Sequence, residues 1–317
     1  MPLTVLTNDL GAVGIETAVA ILREGGSAVD AVERGIMRVE ADPDVRHVGL
    51  GGDPNLAGDV ECDAAVMDGT TLAAGAVGAL RDCVHAVSVA RAVMERLPHV
   101  MLVGEGAARF AREVGQSPAQ MLTDAARDAY RTWTQTVVAP ADRNRWPDIA
   151  TAEHAWAAAR RKEVRDTVIF LAIDREGNIA AATSTSGISY KYPGRLGDSP
   201  VIGAGLYAHS RHGACGCTHT GEVAIRASTA VSVVRSMQRG TGVRTACLEA
   251  LRDIAELKGG NLGPVAIHAL DREGMPCVMC TPDMSHPPSF WIWRGDGHDV
   301  RRGRAERGPE TPPRGGA

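Results

Sequence analysis

Aromatic side chains are scarce. Phe, Trp and Tyr make up 4% of the 317 residues, so a core has to be built from Ala, Val, Ile, Leu and Met. No window comes near the eighteen or so apolar residues that a membrane-spanning helix needs. Excess charge of either sign is also missing. A net charge of −4, with no basic stripe and interleaved aromatics, gives a nucleic-acid surface no support. The opening stretch MPLTVLTNDLGAVGIETA lacks the basic start and continuous apolar core of a signal peptide. Seven cysteines, an odd number, then point to reduced thiols and a cytoplasmic setting.

What is present is the composition of a globular chain, 44% hydrophobic and 23% charged, with 36 glycines for tight turns. LTVLT (3–7) reads as a short strand, and Val13, Ala18, Ile21 and Leu22 follow at helical spacing up to the stop at Gly25-Gly26. Ser27 caps a second helix with Val29, Val32 and Ile36 inward. VECDAAVMDG and TLAAGAVGAL read as strands joined at Asp68-Gly69, with helices over 85–97, 105–114 and 117–134 and the strand-like HVMLVG between the first two. From 136 to 166 the chain turns polar, charged and poor in strand formers, which predicts a mobile linker. Beyond it, TVIFLAI and NIAAATSTSG form a strand pair, helices follow over 222–238 and 243–258, and PVAIHAL, MPCVMC and SFWIW close the set. The tail 301–317, rich in Arg, Pro and Gly, is expected to be disordered. Two strand groups flanked by helix pairs fit a layered α/β fold better than alternating βαβ units.

The boundary between linker and strand falls at Asp166-Thr167. A threonine opening a strand needs no special reason. At a newly made chain terminus, however, it would carry a nucleophilic hydroxyl beside an α-amine whose ordinary pKa is about 7.7–8, so one residue supplies nucleophile and base. Such chemistry also needs oxyanion donors and a pocket that orients the substrate.

The segments GGSAVDAVERG, VEADPDVRHVGLGGDPNLAGDVECDAAVMDG, PHVMLVGEGAARFA, DTV, GNIAAATSTSG, YPGRLGDSPVIGAGLYA and TGE resemble the glycosylasparaginase family. This family is related to the plant-type asparaginases and isoaspartyl aminopeptidases, all N-terminal-nucleophile hydrolases. The resemblance implies a four-layer αββα sandwich, cleaved by its own Thr167 hydroxyl between Asp166 and Thr167 into an α subunit, 1–166, and a β subunit, 167–317, which together form one folded domain. It implies an amidohydrolase that opens the side-chain amide of a small asparagine-type substrate, working without metal or other cofactor as a homodimer of αβ units. Residue by residue, Thr167 is the nucleophile, Thr185 supports it, and Thr218 with the N–H of His219 takes the oxyanion positions. Arg195 and Asp198 hold the substrate's α-carboxylate and α-ammonium. That assignment also makes sense on its chemistry, because a guanidinium fork suits a carboxylate and a carboxylate suits an ammonium. Asn8 and Gly221 complete the expected substrate-binding set. Taken alone, GRLGDSP would be a solvated turn with an ion pair and TST an ordinary strand.

Several positions depart from the family. His219 replaces a glycine, which makes a positive φ costly there. Asn8 stands where a tryptophan walls the family's pocket, Ile169 replaces a glycine, Arg165 a histidine, and YAHS an Asp-bearing turn. A specialised amidase or acylase acting on a metabolite conjugate is therefore an alternative, as is a non-catalytic binding or scaffold member. His209, His212, Cys215, Cys217 and His219, with Cys277 and Cys280, are residue types that zinc accepts. Cys277 and Cys280 lie three apart on a strand and face opposite ways, which favours buried apolar cysteines over a metal site.

Overall fold

The computed structural model describes residues 3–159, 167–295, 297 and 299–309. Strand β1 (Thr4–Asn8) leads through a 3-10 turn into α1 (Ile15–Arg23) and α2 (Ala28–Glu40). The start of α2 is set by a capping box: Ser27 Oγ accepts from the Asp30 N–H, and the Asp30 carboxylate accepts from the Ser27 N–H. Next come β2 (Cys62–Asp68), β3 (Ala74–Leu80), α3 (Ala86–Arg96), β4 (Met101–Val103), α4 (Gly104–Glu113), α5 (Asp124–Val137) and α6 (Ala152–Ala159). The second half holds β5 (Val168–Ile173), β6 (Ile179–Thr185), β7 (Leu206–His209), β8 (Gly213–His219), α7 (Gly221–Ala227), α8 (Thr229–Gln238) and α9 (Val243–Glu256). It closes with β9 (Val265–Asp271), β10 (Pro276–Cys280), β11 (Ser289–Arg294), β12 (Arg301–Arg304) and β13 (Glu306–Arg307).

Two sheets stack between two helical layers. The larger runs β12-β11-β1-β5-β6-β2-β3-β4 and the smaller β13-β10-β9-β8-β7. Three apolar interfaces separate the four layers, and strand alternation shows how. Val168, Phe170 and Ala172 pack with α1–α3, whereas Ile169, Leu171 and Ile173 pack into the layer between the sheets. The third interface seals α8 and α9 onto the smaller sheet through Val233, Ala250, Ile254 and Ile267. Gly35 brings α2 down onto the central strand, since a Cβ there would lie 2.6 Å from the Phe170 ring.

The layered α/β reading holds as the αββα sandwich, with local corrections. The helix expected over 222–238 is two helices, broken at Ser228, which adopts left-handed φ of 50°. The helix expected from 117 begins at Asp124, where the Thr123 hydroxyl caps it by accepting from the Ala126 N–H. The linker, expected to be mobile, is ordered through Ala159. Its end of α5, a 3-10 turn at Arg143–Arg145, and α6 are tied to the body by aromatic packing rather than by strand formers. Trp133 stacks on Tyr190 at 4.2 Å, Trp146 Nε1 donates to Tyr130 Oη, and that hydroxyl donates to the Leu56 carbonyl. The tail is not disordered over 301–309 either: Arg301–Arg304 pair with β11 and Glu306–Arg307 with β10. Backbone pairing there needs little apolar surface, Gly303 leaves the room the Phe290 ring occupies, and the Arg302 guanidinium lies over Trp291 at 5.7 Å. Asp166, Arg165 and the remainder of the tail from 310 fall outside the described residues.

Candidate active site

Thr167 immediately precedes β5 in the middle of the larger sheet and is 6% exposed. It lies two residues before Ile169, so strand alternation turns it toward the layer between the sheets. Its hydroxyl lies 3.1 Å from the Ser199 hydroxyl. The backbone around it is held by β1. Thr7 Oγ1 donates to the Ile169 carbonyl, Asn8 Nδ2 donates to the Thr167 carbonyl at 2.7 Å, and Asn8 Oδ1 accepts from the Ile169 N–H. Asn8, expected in the substrate-binding set, straps the start of β5 and is not among the residues that line this cavity.

Thr185 ends β6 opposite Asp63; its hydroxyl donates to the His47 carbonyl at 3.3 Å and accepts from the Gly187 N–H at 2.9 Å. The loop from Ser186 to Gly205 carries the charged pair. Arg195 donates from Nε and Nη2 to the same Glu222 oxygen, at 3.0 and 2.8 Å. Asp198 is buried, and its Oδ2 has no hydrogen-bond partner among the described residues. Burial pushes the Asp198 carboxyl up to about 7, with Arg195 pulling against it and the negative Glu222 and Asp63 adding to the rise. A buried, unsatisfied carboxyl of this kind gains on meeting a cation.

At the end of β8, Thr218 Oγ1 and His219 Nδ1 lie 2.8 Å apart, and His219 has a φ of 83°. Gly221 opens α7 directly against Asp198, where a Cβ would come 2.8 Å from Oδ1, so no larger residue fits without moving the carboxyl. Ile169 fits because Gly216 faces it; a Cβ on Gly216 would sit 2.8 Å from the isoleucine side chain. Thr167, Thr185, Arg195, Asp198 and His219 thus line one cavity with Ser199 and Gly187, while Thr218 and Gly221 support it from behind. Its free volume is about 10 Å³, which is about the room that one water needs.

Four contributors have no role in the sequence reading. Ser199 and Glu222 sit inside quoted motifs, but only their contacts give them work. Lys191 is buried with its ammonium 3.5 Å from Asp63 and bonded to the Glu61 carbonyl, while Glu61 accepts from the Gly194 N–H. This pins the loop that carries Arg195 and Asp198 to the start of β2. His268 lies fully buried on β9 with neither ring nitrogen hydrogen-bonded among the described residues; burial pushes it down to about 3, and His219 adds in the same direction. Cys215, Cys217 and Cys277 face the helices beside Cys247, and Cys280 faces the inter-sheet layer; no three metal-ligand side chains among the described residues stand close enough to hold an ion.

Two sheets stacked between helical layers are the frame of the N-terminal-nucleophile hydrolases, and Thr167 immediately precedes one of its central strands. The family model described as Asparaginase matches residues 7–285, and the chain belongs to that family. It is 36% identical to an N(4)-(beta-N-acetylglucosaminyl)-L-asparaginase of Elizabethkingia miricola over 89% of this chain and 79% of that protein. An isoaspartyl peptidase of Salmonella typhimurium is 38% identical over 82% of this chain and 80% of its own. The mouse protein named N(4)-(beta-N-acetylglucosaminyl)-L-asparaginase is 34% identical over 79% and 76%. The chain is an amidohydrolase of the asparaginase type.

Proposed function

We propose that this amidohydrolase is made active by cleavage after Asp166 and opens the side-chain amide of an asparagine-type substrate through Thr167. The observation that carries the reading is the shared cavity of Thr167, Arg195 and Asp198. In the intact chain the Thr167 hydroxyl attacks the preceding carbonyl and water opens the resulting ester. The freed α-amine then serves the same hydroxyl as base. Arg195 takes the substrate carboxylate, and Asp198, ionised against the incoming ammonium, takes the α-amine. Thr185 steadies the nucleophile, and Thr218 with the His219 N–H receives the oxyanion. The parts are an α subunit, 1–166, and a β subunit, 167–317, assembled as a cytoplasmic homodimer of αβ units. Light scattering giving twice the 33.3 kDa chain mass tests that assembly.

Three departures favour a leaving group other than the glycosylated amine: His219 lines the cavity, Ile169 fills the space over Gly216, and Asn8 is committed to backbone. A specialised amidase for a metabolite conjugate is the second reading. A screen of asparagine derivatives with different amide substituents, read by product mass, separates the two. Turnover confined to the glycosylated amide would remove the second reading, and no turnover of any asparagine amide would remove the first.

A further inference from the structure

His219 occupies backbone space that suits glycine. Its φ of 83° lies in the left-handed region, where a side chain is disfavoured. His219 nonetheless lines the same cavity as Thr167, and its Nδ1 lies 2.8 Å from the Thr218 hydroxyl. Strain retained at a cavity-lining histidine asks for a chemical use.

We propose that the His219 imidazole is a second acid–base group of the amidase and donates the proton that the departing amine needs. The inference rests on the reading of Thr167 as nucleophile and Thr218 as oxyanion donor. To aim its own proton at the oxyanion, Thr218 must accept from the ring, so Nδ1 carries a hydrogen and Nε2 exchanges protons. The oxyanion and the leaving nitrogen are bonded to one carbon, which puts a ring tied to Thr218 beside the bond that breaks. In acylation the Thr167 hydroxyl proton passes to its own α-amine, and Oγ bonds to the carbonyl carbon. The C–N bond then breaks as the Nε2 proton of the imidazolium moves to nitrogen. In deacylation water attacks the ester and gives one proton to the neutral imidazole, while the α-ammonium returns its proton to Oγ. One amide and one water become one carboxyl and one amine, and both residues are restored. The charged and titratable groups around the ring are Arg195 and Asp198 in the same cavity, His268 on the strand paired with β8, and the Thr167 amine once freed.

The test is His219→Gly, a residue that relaxes this φ, so folding and cleavage into two chains are retained. Wild type and variant are compared on two β-aspartyl amides, the N-methylamide, whose amine must be protonated to leave, and the 4-nitroanilide, whose leaving group needs far less help. The variant is expected to lose about 10²–10⁴-fold in kcat/KM on the methylamide and less than about tenfold on the nitroanilide. Added imidazole should restore part of the methylamide rate, and the alkaline fall of that wild-type profile should disappear. Equal losses on both amides, or faster methylamide turnover, would overturn the proposal. A cleaved wild type inert on both amides would overturn the amidase reading itself, and the proposal with it.

Discussion

The hydroxyl oxygens of Thr167 and Ser199 lie 3.1 Å apart, and both residues are almost fully buried. Ser199 is itself fixed, since its carbonyl accepts from the Thr183 hydroxyl at 2.8 Å. Its hydroxyl is therefore placed to orient that of Thr167 for the proposed self-cleavage. Ser199→Ala should slow self-cleavage by about 2–12-fold, the worth of one neutral hydrogen bond, and Ser199→Thr should keep most of the rate. The readout is the conversion of newly made chain into two pieces over time; an unchanged rate in the alanine variant would remove Ser199 from the process.

Arg195→Lys should raise KM strongly, because an ammonium cannot reproduce a planar fork already braced by two bonds to Glu222. Losing one partner of a desolvated charge pair costs on the order of 2–5 kcal/mol. Steady-state kinetics on asparagine amides check it. Unchanged KM would mean that the substrate carries no carboxylate at this position.

Asp198 sets an acid limb. Its carboxyl is pushed up to about 7 by burial, so below that pH it is largely protonated in the empty site and cannot meet an ammonium as an anion. KM for asparagine should rise as pH falls from about 7, by up to tenfold per unit. Succinamate, which lacks the α-amine, should show no such rise, whereas the Thr167 amine affects both substrates alike. Parallel pH profiles for the two substrates would contradict this role.

His268 should make the fold acid-sensitive. Its imidazole is held down to about 3 by burial, against an ordinary 6.5. Between those values the unfolded chain binds a proton that the folded chain excludes, so stability falls as pH drops, by up to about 1.4 kcal/mol per unit. In a Thr167→Ala background, which is expected to stay one chain, His268→Leu should add about 1–3 kcal/mol at neutral pH by removing unsatisfied polar atoms. It should also flatten the acid dependence. Urea midpoints at pH 5 and 7 decide it; a leucine variant less stable than its parent at both would show that the ring has partners.

Much of this was legible along the chain because it is local. Continuous apolar runs announced β5 and the start of β6, Ser27 announced the start of α2, and the Asp166-Thr167 boundary lies where a polar run meets an apolar one. The rest depends on residues far apart in sequence. Trp133 finds Tyr190 across 57 positions and turns an apparent linker into packed structure, and Phe290 finds Gly303 and turns an apparent loose tail into an edge strand. Asn8 is expected in the substrate-binding set because it follows Thr7 where the family has its pocket wall. An amide of that length instead reaches both backbone groups beside Val168. That neither ring nitrogen of His268 is hydrogen-bonded among the described residues has no trace in VAIHALD, where strand alternation turns the ring inward without saying what it will meet.

On this account Thr167 becomes a chain terminus by its own chemistry. Mass spectrometry of freshly purified protein, alongside its Thr167→Ala variant, tests it most directly. Wild type should separate into two chains, the second beginning Thr-Val-Ile-Phe, while the variant remains one chain of about the full 33.3 kDa. A wild-type chain that stays whole yet hydrolyses asparagine amides, or a variant that still splits after Asp166, would contradict it.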